Sequence, residues 1–141
     1  MTDRSAALFT AIYSALANDA TLTTLLGGSG RVFNGVPSGQ DAPYVDIGES
    51  TATDYGTSSG DAQEHTITVH VWTERASGET ESPRLRNVKI AARVRDVLHG
   101  QSFALSAGGN PNMRCEFQET MRDPDGISWH GVLRFRAVTE N

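Results

Sequence analysis

Cysteine is nearly absent: Cys115 is the only one in 141 residues, so no internal disulfide can staple the fold. No Cys/His pair has the spacing of a zinc site. Apolar runs are short, and none approaches the roughly 20 residues that a bilayer span requires. The expectation is a soluble chain with no membrane partner. Met1 to Ser5 is polar and leads directly into a helical pattern, without the charged start, apolar middle and cleavage site of a signal peptide. Manufacture and use in the cytoplasm are therefore expected. Positive charge is also in deficit, with 12 Lys and Arg against 17 Asp and Glu, a net charge of −5 and a pI near 5.3. That balance argues against a conventional nucleic-acid binder, yet it permits DNA to pass along a surface that repels it.

Catalytic and ligand motifs are missing as well. No serine stands in a Gly-x-Ser-x-Gly elbow. Gly27-Gly28-Ser29-Gly30 lacks the Lys-Ser/Thr of a phosphate loop and follows a helix where such a loop follows a strand. His65 and His70 are five residues apart on one predicted strand, so they face opposite sides and cannot share a metal. His99 reads as a helix C-terminal residue and His130 as a cross-strand neighbour of Thr120. Asp123 and Asp125 resemble a fragment of a calcium loop, but the twelve-residue ligand pattern is absent and turn chemistry accounts for both. The reading is of a protein that is not an enzyme, with no cofactor and no metal.

What is present is one domain's worth of amphipathic pattern. Leu8, Ile12 and Leu16 mark a helix over Ser5 to Ala17, with Thr2 or Asp3 as cap. Asp19 caps a shorter helix carrying Leu22, Leu25 and Leu26, which Gly27 and Gly28 terminate. Arg31 to Phe33 and Pro43 to Glu49 read as strands, the second with poor alternation. Ser50 to Ala62 turns to Ser, Thr, Gly and Asp, the composition of a long loop or of two ragged strand ends. His65 to Thr73 alternates cleanly, Ile67, Val69 and Val71 against Thr66, Thr68, His70 and Trp72, as a central half-buried strand does. Pro83 to Leu98 is the longest helix, about 24 Å at the usual rise. Ile90, Ala91, Val94, Val97 and Leu98 form its apolar face, and Arg86, Lys89 and Arg93 lie outside. Gln101 to Ala107 reads as a further strand.

The C-terminal run Met113 to Thr139 predicts a long hairpin about the turn Asp123-Pro124-Asp125-Gly126. With Asp123 facing Ile127, the apolar face pairs Met121 with Trp129, Phe117 with Leu133, Cys115 with Phe135 and Met113 with Ala137. The polar face pairs Thr120 with His130, Gln118 with Val132, Glu116 with Arg134 and Arg114 with Arg136. Cys115 then reads as a core thiol. Glu119 falls on the apolar face opposite Gly131, either at a fraying sheet end or reserved for a partner. The element order, helices and runs of hairpin-connected strands, predicts an α+β fold: a mostly antiparallel sheet with the long and N-terminal helices on one face.

The order of Leu25-Leu26-Gly27, Arg31-Val32-Phe33-Asn34-Gly35-Val36-Pro37, Pro43-Tyr44-Val45 and the strand Glu64 to Trp72 resembles the tail-completion, or tail terminator, proteins of long-tailed bacteriophages. So do the ending Arg122-Asp123-Pro124-Asp125-Gly126 and the run His130 to Arg136. The likeness extends from Ser5 to Glu140 and is strongest to the version found in prophage-derived gene transfer agents. It implies a virion protein, assembled in the bacterial cytoplasm, that forms six-membered rings with itself. Such rings cap the tail tube protein and meet the head-tail connector or neck protein, with DNA present only in transit. The expected interface is Thr53, Asp54 and Tyr55 in the long loop, Asp123 and Asp125 in the turn, Glu119, and the stripe Arg86, Lys89 and Arg93 against an acidic neighbour. Alternatives are another neck component such as a head-completion or stopper protein, a small enzyme using His130 or Glu119, and a monomeric binding domain.

Overall fold

The computed structural model describes residues 3–106 and 108–140. Thr2, one of the two expected caps, and Ala107, the end of one expected strand, lie outside them. Helix α1 spans Ser5–Ala17 and buries Leu8, Ile12 and Leu16, the stripe its spacing predicts. Its N-cap is Arg4, which gives no side-chain cap; Asp3 instead accepts from the Ser5 amide at 2.8 Å. Helix α2, Ala20–Leu26, is capped by Asp19, whose carboxylate accepts from the Leu22 amide, and it stops at Gly27 in the left-handed region. Helix α3 runs from Pro83 to Leu98, with Ser82 as cap and Pro83 at the first turn.

Five strands form one sheet in the order β1-β2-β3-β5-β4. They are β1 Val32–Phe33, β2 Tyr44–Asp54, β3 Ala62–Glu74, β4 Arg114–Arg122 and β5 Ser128–Glu140. Only β1 with β2 is parallel; the other neighbours are antiparallel, and β3 is central as expected. Val45, Ile47, Val69, Val71, Leu133 and Phe135 face the helices and join Leu8, Ile12, Leu16, Ile90 and Val94 in one core. This is the α+β architecture that the pattern of elements predicts.

Two bulges explain where alternation fails. Between β2 and β3, Ile47 pairs with Val69 but Ser50 with Ile67, so an extra residue enters at Gly48-Glu49. The bulge turns Glu49 onto the open face, which is why the strand alternated poorly in sequence. The region from Ser50 onward is two strand ends, with the chain reversing between Asp54 and Ala62. Between β4 and β5 the pairs Arg114 with Arg136 and Cys115 with Phe135 match expectation, but beyond a bulge at Glu116 every pair slips by one. Asp123 faces Ser128, not Ile127, through an amide-to-carbonyl bond of 2.9 Å. The cause is Asp125, whose carboxylate takes the amides of Ile127 and Ser128 and the Ser128 hydroxyl, drawing Ile127 into the loop.

That slip corrects several expectations. Phe117 pairs with Arg134, Glu119 with Val132 and Met121 with His130, so these side chains lie on the open face; Thr120 pairs with Gly131 on the helix face. Glu119 is exposed and not on the apolar side. Cys115 is half-buried at the bulge, and burial pushes its thiol up. Of the strand expected at 101–107, the described residues 101–106 are not a regular strand. Gly100–Met113, Met113–Gln101 and Phe103–Pro111 bonds bring 100–103 alongside 111–113, and Leu105 and Met113 enter the core.

A carboxamide fastens α3 to the sheet. Asn87, fully buried, donates to the carbonyls of Val71 and Trp129 at 3.0 Å each and accepts from Thr120 at 3.3 Å. The close approach requires glycine opposite: a Cβ at Gly131 would sit 2.4 Å from the Asn87 oxygen. Gly131→Ala is therefore expected to lower stability by about 1–3 kcal/mol, read as a lower urea midpoint; an unchanged midpoint would show that the helix is not seated through this contact.

Candidate functional site

The basic stripe on α3 is engaged within the chain. Arg86 meets the Glu79 carboxylate and reaches the Leu25 carbonyl at 3.4 Å. Lys89 pairs with Glu81. Arg93 grips Asp19 with two bonds of 2.8 Å, and the same carboxylate caps α2. Arg93 and the Leu22 amide together hold the Asp19 carboxyl below its ordinary value, against desolvation. Arg93 thus ties two helices together, a bidentate geometry suited to guanidinium and carboxylate.

Other expected interface residues lie at opposite ends of the sheet. Thr53 pairs with Glu64 at the far end of β2, Asp54 accepts from the Gly56 amide at 3.0 Å, and Tyr55 is 53% exposed under Arg136. Arg136 also binds Glu64. Asp123 and Asp125 occupy the turn beside Ser128, which pairs with Glu74 at the other end of β3. Strands of this length separate the two groups by about 40 Å, so they lie at two separate ends and do not form one surface. Glu119 lies on the open face of the edge strand, and no ion pair engages it among the described residues.

The open face carries a cluster that the sequence reading missed. His70 Nδ1 lies 2.7 Å from His130 Nε2, and His70 Nε2 lies 2.7 Å from the Glu49 carboxylate. Trp72 stacks on His130, with ring centroids 3.9 Å apart and planes within 10°. A carboxylate only accepts, so neutral His70 carries its proton on Nε2, and His130 donates from Nε2 to His70 Nδ1. Gly48 makes room for the ring; a Cβ there would lie 2.5 Å from His70 Cδ2. The cluster exists because β3 pairs Trp72 with His130 and because the β2 bulge turns Glu49 outward. Neither long-range pairing has a local signal; the one clue was a histidine and a tryptophan alternating on one strand.

Desolvation, and then the neighbouring His70, holds the His130 pKa below its ordinary value of 6.5. Burial does the same to His65, whose ring meets Thr139 at 2.9 Å beneath the helices. No group of three or more His, Cys, Asp or Glu converges to hold a metal among the described residues. No described helix is long and apolar enough to cross a membrane.

The fold is thus an α+β sheet with helices on one side and a bare, charged and aromatic face on the other. Residues 10–140 match the family described as Tail completion protein gp17, and the chain belongs to that family. Among its relatives, the tail completion protein gp17 of Bacillus phage SPP1 is 24% identical over 99 residues, 70% of this chain and 69% of that protein. Among solved structures, a chain from the virion of a native gene transfer agent (GTA) particle superimposes with a TM-score of 0.83 at 27% identity, over 100% of both chains. This chain is accordingly a structural tail component of the tail-completion type.

Two outcomes follow from the geometry. Arg93→Glu sets a second carboxylate against Asp19 and should unfold at clearly lower urea than Lys89→Glu, whose pair lies at the surface; equal midpoints would remove the tie between α2 and α3. For His130 and His65 the folded pKa lies below the unfolded one, so the unfolded chain binds more protons. Stability is then full above the ordinary value of 6.5 and is lost as pH falls below it toward the depressed folded values. His130→Gln should lose less urea stability than wild type between about pH 7.5 and about pH 5; an identical loss would mean that His130 contributes nothing to the slope.

Proposed function

We propose that the protein caps the finished tail tube as a ring of identical subunits, six as the family likeness implies, and joins the tail to the head or neck. The observation that supports this most is the full-length likeness to a chain of a GTA virion, together with membership of the tail completion family. A ring needs heterologous contacts, in which one face of a subunit fits a different face of the next. A chain with one sheet face bare and projections at both strand ends supplies such unlike surfaces.

In this reading the Thr53 to Tyr55 end and the Asp123 to Asp125 turn form two rims, one matching the last ring of tube protein and the other the neck. Glu119 lies on the face between them. Lys89, 49% exposed at its side chain, retains the most surface of the basic stripe for a neighbour's carboxylate. The excess of acidic residues keeps the channel from gripping DNA in transit. The subunit acts as one domain, is assembled in the bacterial cytoplasm and ends in the virion.

Purified tail tubes incubated with the protein should stop at a uniform length and carry an added ring at one end in negative-stain micrographs. Tubes that overgrow with no added density would sink the cap reading and move the protein to another part of the neck.

A further inference from the structure

One cation cluster differs from the α3 stripe. Arg75 follows β3, Arg84 stands in the first turn of α3 and Arg122 ends β4; the fold brings these three together around an open cleft of about 540 Å³. All three are exposed, and none is in an ion pair among the described residues. Arg122 makes one neutral bond, to the Gly126 carbonyl at 2.8 Å, and Arg84 lies over the Trp129 ring at 5.4 Å. Pro83, Trp129 and Ile127 form the apolar part of the wall, which Ser82 and Gly126 complete. Ile127, at 65% exposure, is the most exposed of the large hydrophobic side chains among the described residues. In a chain of net charge −5, three unneutralised guanidinium groups beside a bare isoleucine and a tryptophan form a surface that its own fold leaves unsatisfied.

We propose that this cleft docks an acidic segment of a different virion protein, one carrying aspartate or glutamate beside a branched or aromatic side chain. The inference rests on the tail-completion reading and adds the chemistry of one partner. Carboxylates answer the arginines with bidentate bonds, and an apolar side chain covers Ile127 and Trp129. A nucleic-acid backbone would satisfy the guanidinium groups but leave the exposed Ile127 against water. A second copy fits less well. The exposed aromatics that stand beside acids on this chain, Phe117 and Tyr55, already lie under its own Arg134 and Arg136.

The test replaces Ile127 with the photo-crosslinking residue benzoylphenylalanine in the full chain, in cells that assemble the particle. Tails are purified, irradiated and mapped by mass spectrometry. The expected result is an adduct to another virion protein within a segment rich in Asp or Glu. Its yield should fall roughly tenfold when Arg75→Glu and Arg84→Glu are added, the effect of losing charge-assisted bonds. An adduct to a second copy or to DNA, an adduct indifferent to the arginines, or no adduct would overturn the proposal. If the double variant does not enter tails, the position of the first adduct decides alone: an acidic segment supports the docking site and any other location refutes it. Absence of the unmodified chain from purified tails would instead refute the tail-completion reading, so the two failures are distinguishable.

Discussion

The seating of α3 against β3 and β5 through Asn87 is the constraint on which the other surfaces depend. A buried carboxamide must find partners for its polar atoms, and Asn87 finds them in two strand carbonyls and a threonine hydroxyl. That requirement sets the height of the helix above the sheet and demands the missing side chain at Gly131. From this seat the helix reaches Asp19 through Arg93, and so places α2. It also carries Arg84 over Trp129, which closes one side of the arginine cleft. One contact therefore positions both the core and a surface.

Both bulges act on the face that the helices leave bare. An extra residue in a strand reverses the facing of everything beyond it. The bulge at Gly48-Glu49 delivers the carboxylate to His70, and the one at Glu116 delivers Phe117 to Arg134. The open face thereby becomes a mixed aromatic and charged surface, not the simple polar side of an alternating sheet.

Seven of the twelve basic residues fall into two contrasting groups. Arg86, Lys89, Arg93 and Arg136 each meet a carboxylate of the same chain. Arg75, Arg84 and Arg122 meet none among the described residues and share one cleft. The conspicuous basic stripe in the sequence belongs to the first class, and its paired members help hold the subunit together. The second class is invisible to a stripe search, because its members come from three elements.

The sequence by itself determined the parts whose causes are local. Periodicity placed α1 and α3, the Asp19 cap and Gly27 bounded α2, and alternation identified β3, because each depends on neighbours within a few residues. The order of those parts also carried the family likeness. Tertiary structure decided what depends on pairing between distant segments. It set the hairpin register beyond Glu116, where Asp125 lengthened the loop, and over 101–106 it put irregular chain bonded back to Pro111 and Met113 in place of the expected strand. It alone joined His70 to His130 and gathered Arg75, Arg84 and Arg122. Register and juxtaposition are properties of the closed sheet and packed helix, and no single window of sequence contains both partners of such a contact.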